Sequence, residues 1–244
     1  MPALLLIAHG SRDPRHAATV AALVEEVRAQ RPGIEVATAY LDHCAPRIPQ
    51  VVGRLADAVA VPLLLNRAFH AKYDVPAALR AAGARLPVAD VLGPSALLLA
   101  ALDRRLAEAG PAVGSAAVRA RTGVVLAAAG SSDPAADAAT RAVAAEWRRT
   151  RGWAAVEVAY ASATGPRVPD ALAALRAAGA ERTAVAPYLL APGLLPDRIA
   201  AAAEEAGADT VADTIGPAPE LAALLLRRYD GTRLAPPTAP ALSA

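Results

Sequence analysis

Three residues far apart in the chain carry side chains able to do chemistry together: His9, Asp42 and His70. Each stands at or just after the end of an apolar run. His9 closes Ala3–Ala8, Asp42 follows Ile34–Leu41, and His70 lies in the loop after Ala58–Leu65. If those runs are the first three strands of a doubly wound sheet of order 2-1-3-4, the first strand lies between the other two. All three side chains then converge beyond the carboxyl ends of the strands, where such sheets bind ligands. Two neutral imidazoles and one carboxylate suit a divalent first-row metal such as Fe²⁺ or Co²⁺, with coordination positions left open. Each residue also has a plain structural reading. His9-Gly10-Ser11 is compatible with a strand-to-helix turn, Asp42 with an Asx turn, and His70 with a solvated loop. Nearby His16 falls in the first turn of a helix and is expected to face solvent. His43 is expected in solvent or bonded within its loop, and Cys44 as a small buried residue.

The elements that must position these residues follow from hydrophobic periodicity. Asp13-Pro14 supplies an N-cap and a proline suited to a first helical turn. A helix is expected over Ala17–Gln30, then a strand over Ile34–Leu41, a helix over Pro46–Asp57 and a strand over Ala58–Leu65. A helix over Val75–Ala82, a strand over Val88–Leu92 and a helix over Ser95–Ala107 complete the unit. Continuously apolar strands alternating with helices predict an α/β fold with parallel sheets covered on both faces. The same order then recurs. Leu5-Leu6-Ile7-Ala8-His9-Gly10-Ser11-Arg12-Asp13-Pro14 matches Val125–Pro134 at an offset of 120, as do Ala39-Tyr40 with Ala159-Tyr160 and Pro46-Arg47 with Pro166-Arg167. Collinear matches of this kind indicate internal duplication. The chain therefore reads as two tandem flavodoxin-like domains with parallel four-stranded sheets facing each other. The first spans 1–112 and carries the metal site. The second spans 120–230 as a degenerate repeat, and 231–244 reads as a disordered Pro/Ala-rich tail. Ala129 stands where His9 does and Ser162 where Asp42 does, and no histidine occurs after position 70. The scaffold is present twice and the ligand-type side chains once, an asymmetry that fold requirements alone do not explain.

Composition excludes several classes. With 244 residues and a net charge of +2, there is no field strong enough for nucleic acid. Of the 25 basic residues only Lys72 is lysine, and 68 residues are alanine, a bias that strips arginine counts of functional meaning. Alanine also raises the mean hydropathy, and no apolar run reaches the roughly 18–20 residues of a membrane span. With no signal-peptide pattern, the expected address is cytoplasmic. One cysteine excludes a disulfide framework or thiolate cluster. The chain contains no G-x-x-x-x-G-K-[ST] and no G-x-G-x-x-G, so neither ATP-driven work nor a nucleotide cofactor is expected.

Residues 4–14, Leu4-Leu5-Leu6-Ile7-Ala8-His9-Gly10-Ser11-Arg12-Asp13-Pro14, together with Pro62-Leu63-Leu64-Leu65 and Phe69-His70-x-x-x-Asp74-Val75-Pro76, resemble the class II sirohydrochlorin chelatases in their two-domain fused form. The resemblance spans roughly residues 3–228. It implies insertion of Co²⁺ (cobalamin branch) or Fe²⁺ (siroheme branch) into sirohydrochlorin without ATP. It assigns the two metal-binding histidines to His9 and His70, and the acidic position after the second strand to Asp42. That position is usually Glu, and the loop Asn66-Arg67-Ala68-Phe69 lacks the usual glycine. The implied mechanism strips water from M²⁺, presents it to the face of a bent macrocycle, and passes the two pyrrole protons to neutral histidines. Because the substrate carries eight carboxylates, backbone and cationic donors are expected to ring the cleft: Gly10, Ser11, Arg12, Arg67 and Lys72. The expected partners are the macrocycle and the metal alone, acting on a monomer or homodimer.

Two other readings stay open on sequence. One is a non-enzymatic metal or tetrapyrrole carrier on the same scaffold. The other is a phosphoryl-transfer enzyme of the histidine-phosphatase type, although such enzymes place Arg directly before the His and this chain has Ala8.

Overall fold

The computed structural model describes residues 1–66, 74–162 and 165–234. In chain order the elements are β1 (Ala3–Ala8), α1 (Pro14–Gln30), β2 (Val36–Tyr40), α2 (Ile48–Val52), β3 (Ala58–Pro62), α3 (Val75–Ala81) and α4 (Ala96–Ala109). A 3₁₀ turn (Pro111–Gly114) and α5 (Ala116–Arg119) lead to the second half: β4 (Thr122–Ala128), α6 (Pro134–Arg151), β5 (Ala155–Tyr160), α7 (Val168–Ala177), β6 (Arg182–Pro187), α8 (Leu194–Glu205), β7 (Thr210–Val211) and α9 (Pro219–Leu234). All strand pairs are parallel, ordered β2-β1-β3 in one sheet and β5-β4-β6-β7 in the other.

The duplication expected from sequence is repeated atom for atom at the helix starts. Asp13 accepts from the Arg15 amide and Asp133 from the Ala135 amide, both at 2.9 Å, with a proline opening each helix. The Tyr40 amide donates to Pro46 O at 3.0 Å and the Tyr160 amide to Pro166 O at 2.9 Å.

The first sheet departs from the expected four strands. Val88–Leu92 makes one isolated bridge, Val88 with Ala60, and the Leu92 amide donates to Leu64 O at 2.9 Å. Asp90 turns its carboxylate onto the Val91 amide at 2.7 Å. That local bond takes the donor of one possible rung, and Pro62 of β3, having no N–H, removes another. The helix expected over Pro46–Asp57 is the shorter α2, closed by Gly53 at its C-cap. At the other end α9 runs to Leu234, so residues 231–234, expected in a disordered tail, are helical. The rest of that tail, 235–244, lies outside the described residues.

Period-two alternation gives each central strand two buried faces. Ala3, Leu5 and Ile7 of β1 pack with Ile48, Val75 and Leu79 in one outer core. Val125 and Ala127 of β4 pack with Leu172, Leu175 and Ile199 in the other. The opposite faces, Leu4 and Leu6 with Val124 and Leu126, belong to one continuous core shared by both halves. What joins them is an exchange of closing helices. From the first half, α4 packs on β6 and β7; from the second, α9 packs on β3 and α1. Ion pairs mark both seams, Arg31 with Asp230 at 2.6 Å and Arg104 with Glu220 at 2.6 Å.

A buried polar contact pins the exchanged α4. Asp103 Oδ1 accepts from the indole nitrogens of Trp147 at 2.9 Å and Trp153 at 3.1 Å. Burial pushes the Asp103 carboxyl above its ordinary value, against those two donors and the nearby Arg119 and Arg151. Asp103→Ala strands two buried N–H groups and is expected to cost about 3 kcal/mol in urea unfolding. Asp103→Asn keeps an acceptor oxygen and is expected to cost less than half as much; equal losses would refute the hydrogen-bond account. No helix among the described residues is long and apolar enough to cross a membrane.

Candidate functional site

The carboxyl ends of both sheets open onto one cleft of about 540 Å³. The first half contributes the turn His9–Ser11 after β1, the segment Leu63–Asn66 after β3, and His16. Facing them are Ala128–Ser131 after β4 and Tyr188–Pro196 after β6, with Asp137, Thr140 and Tyr160. Side-chain contacts cross the cleft. The Asn66 side-chain amide donates to Thr140 Oγ1 at 3.1 Å. At the mouth, the Arg15 guanidinium grips Asp13 and reaches Asp197 of α8 at 2.6 Å, the two carboxylates together holding it fully charged.

His9 is exposed to the cleft because the chain turns sharply after it. Gly10 sits at φ +93°, and a Cβ there would stand 1.8 Å from Asp42 O. That close approach lets the Asp42 amide donate to His9 O at 2.8 Å, tying the ends of β1 and β2. Ser11 reinforces the tie: its amide donates to Cys44 Sγ at 3.4 Å and its carbonyl accepts from that thiol at 3.1 Å. Cys44 is accordingly half-buried against the core. Ser11 Oγ also accepts from the Asp13 amide at 3.1 Å, steadying the start of α1. The second half repeats this turn, with Gly130 at φ +91° and Ser162 taking the place of Asp42.

Asp42 is placed beside the cleft, outside its lining. Its carboxylate accepts from the His43 amide at 2.8 Å and from Arg47 at 2.9 Å, bonds that hold it below the ordinary carboxylate range. His43 adopts φ +61°, unusual for a non-glycine residue, which brings its ring edge-on to His9 at 6.3 Å between centroids. Arg12 is exposed and stands outside the cleft lining, one residue beyond Ser11, which belongs to it. His70, Arg67 and Lys72 lie in 67–73, outside the described residues; the last described residue before them, Asn66, lines the cleft.

His16 corrects an expectation. It is half-buried and lines the cleft, its ring 6.3 Å from that of Tyr40. Burial holds its imidazole below the ordinary value, with His9 adding to the effect. The signal was in the spacing. Position 16 shares the buried stripe of Val20, Leu23, Val24 and Val27, at offsets of 4, 7, 8 and 11. Asp137, Tyr160 and Tyr188 also line the cleft, and the first two were not candidates on sequence.

The family described as CbiX matches residues 3–109 and 123–232, segments that coincide with the two halves. The sirohydrochlorin cobaltochelatase of Priestia megaterium is 27% identical over 215 residues, 82% of this chain and 67% of that protein. The sirohydrochlorin ferrochelatase of the same organism is 27% identical over 219 residues, 86% of this chain and 80% of that one. Among solved structures, SirB from Bacillus subtilis with Fe³⁺ superposes with a TM-score of 0.79 at 24% identity, covering 94% of both chains. A structure of CbiX, described as the terminal enzyme for biosynthesis of siroheme in denitrifying bacteria, gives a TM-score of 0.71 at 23% identity, covering 94% of this chain and 98% of that one. These structural likenesses show the fold.

Proposed function

The chain belongs to the CbiX family, and we propose that it inserts Co²⁺ or Fe²⁺ into sirohydrochlorin, without ATP, in the cleft between its two sheets. The observation that carries this reading is the exposed His9 at the end of β1, opening into the one cleft that gathers both sets of strand ends. The names of the two relatives, one a cobaltochelatase and one a ferrochelatase, support the substrate and leave both metals in play.

In this mechanism the metal is a substrate. His9, with His70 from the neighbouring loop, takes M²⁺ from water through neutral imidazole lone pairs and presents it to the macrocycle. Two N–H bonds then break as metal–nitrogen bonds form. The electron pairs stay on nitrogen, two protons leave, and the metal keeps its oxidation state. Contacts along the cleft walls hold the ring in a bent form with its lone pairs out of plane. Asp42, fastened by Arg47, acts from beside the site by positioning the turn that carries His9.

The test is an insertion assay with sirohydrochlorin and each metal in turn, following the absorbance change on metallation. A protein that binds the macrocycle and leaves it metal-free is a carrier, and the proposal fails. A His9 that takes up a phosphoryl group from a phosphate donor, with no metallation, would instead support the phosphoryl-transfer alternative. Charge gives a further expectation. Replacing Arg12, Arg67 and Lys72 with glutamine is expected to raise KM for sirohydrochlorin more than it lowers kcat, since contacts to peripheral carboxylates are made equally in ground and transition states. A change confined to kcat would refute the carboxylate-binding role.

A further inference from the structure

Arg15 holds two carboxylates on two different edges of its guanidinium. On the Nε edge, Asp13 accepts from Nε at 3.0 Å and from Nη2 at 2.6 Å. Asp13 is the N-cap of α1, so this contact fixes the guanidinium to a rigid helix start. On the end-on edge, Asp197 in the first turn of α8 accepts from Nη1 at 3.1 Å and from Nη2 at 2.6 Å. Two parallel N–H donors meeting two carboxylate oxygens is the fork by which arginine recognises carboxylates. Asp13 therefore aims the fork, and Asp197, from the other half of the chain, occupies it.

The scaffold does not require this arginine. Helix α6 opens as α1 does, with Asp133 capping the Ala135 amide and Pro134 in the first turn, yet the position matching Arg15 is alanine. The acid of the pair is present in both halves, as Asp74 and Asp197, while the base is present once. Nor is the pair a strong tie. The side chains of Arg15 and Asp197 are 50% and 53% exposed, and an ion pair so open to water adds little to stability. Its position is what sets it apart. Arg15 and Asp197 stand just outside the cleft lining, each next to a residue that belongs to it, His16 in one half and Pro196 in the other. The edge of a broad guest centred near His9 reaches this rim.

Sirohydrochlorin carries its eight carboxylates on its periphery, so they lie at the rim when the ring centre faces His9. Resting on the chelatase reading above, we propose that Arg15 is a substrate-binding residue whose end-on fork takes one of these peripheral carboxylates, and that Asp197 is its resident stand-in, displaced as the macrocycle enters. One carboxylate replaces another on the same two N–H donors. Asp197 returns to water, where it already lies half exposed, so no buried charge is left unpaired. The exchange also severs the link between α1 and α8, so entry of the guest frees the two halves to move apart at this edge. The aspartate thereby screens the fork against weaker anions that cannot compete with it.

The experiment measures the dissociation constant of metal-free sirohydrochlorin, followed by its fluorescence, for the full-length wild type, Arg15→Gln, Asp197→Ala and the double variant. Arg15→Gln is expected to weaken binding about tenfold, the loss of a charge-assisted pair of hydrogen bonds. Arg15→Lys keeps the charge without the fork and is expected to stay at least about threefold weaker than wild type. Asp197→Ala removes the competitor and is expected to tighten binding about threefold. In the Arg15→Gln background the same substitution is expected to change nothing, because there is no fork left to compete for. Equal tightening by Asp197→Ala in both backgrounds would be the general effect of deleting a negative charge near a polyanion, and overturns the proposal. So does wild-type binding by Arg15→Gln, or a weakening matched by a fall in melting temperature, which would make the residue structural. A wild-type protein that neither binds sirohydrochlorin nor inserts either metal overturns the functional reading, and the assignment with it. Wild-type insertion alongside unaltered binding by Arg15→Gln and Asp197→Ala overturns the assignment alone.

Discussion

Replacing His9 or His70 with alanine is expected to lower metal insertion by about 100-fold or more while leaving the protein folded. A positioned base contributes roughly 10²–10⁴ to such a rate, and a lost imidazole removes a metal ligand as well. His9 is exposed at the end of β1, and the six residues before it, Ala3–Ala8, are all buried. The side chain therefore adds little to the core, and the stability change is expected to stay within about 1 kcal/mol in urea titration. The expectation for His70 rests on its motif with Asp74-Val75-Pro76. Asp42→Ala is expected to cost less than either, because its carboxylate is committed to Arg47 and the His43 amide. Insertion by His9→Ala at the wild-type rate would move the site away from the end of β1. If both histidine variants stayed active, the reading of this cleft as a metal site would fail.

Gly10→Ala is expected to damage both fold and rate. At φ +93° an L-residue is strained, and the added Cβ would lie 1.8 Å from Asp42 O and 2.9 Å from Asp42 C. Those are backbone atoms and cannot swing aside, so the ends of β1 and β2 must part. That breaks the bond from the Asp42 amide to His9 O. A destabilisation of about 3 kcal/mol follows from adding a clash to a forbidden conformation. Displacing His9 by even 1 Å is enough for a further loss of about 100-fold in rate. Gly33→Ala provides the comparison. Gly33 has φ +83° with nothing within 4 Å of a Cβ, so only the conformational penalty of about 1 kcal/mol applies. Equal stabilities for the two variants would refute the close-approach account.

Much of the architecture was legible because it is local. Asp13-Pro14 and Asp133-Pro134 start helices by capping, and Ala3–Ala8 is a strand because six small or apolar residues in a row are covered on both faces. The repeat at an offset of 120 needed no structure to see. What periodicity does not contain is the identity of an element's partner. Nothing in the amphipathic stripe of α4 says which sheet it covers, and it covers the second half's. Val88–Leu92 has strand composition, yet Pro62 on the neighbouring strand and the Asp90-held Val91 amide withdraw two rungs of its ladder. His16 was legible in principle from its place in the stripe of Val20 and Leu23; polarity was the misleading cue, because a stripe that reaches a cleft can end in a functional side chain. Asp137 carried no comparable signal. In an alanine-rich helix with Arg141 four residues on, it reads as an ordinary surface pair, and only the cavity distinguishes it.

The exchange of closing helices bears on how a two-walled site came to have unequal walls. A half-length chain would end in a helix whose apolar stripe has no sheet to cover, and its own sheet would lack a lid. Two copies trading helices would remove both defects, and such a symmetric pair would have identical strand ends on each side of the opening. Such a pair offers two sets of ligands to a macrocycle that has one central hole. Only one set can be used in any turnover, and symmetry forbids specialising either. Joining the copies in one polypeptide lifts that restriction: position 9 can stay histidine while position 129 becomes alanine, and position 42 can stay aspartate while position 162 becomes serine. Fusion also lays the joining segment on the second half, where the Ala154 amide donates to Arg119 O at 3.1 Å. Its gain is the freedom of the two faces to diverge.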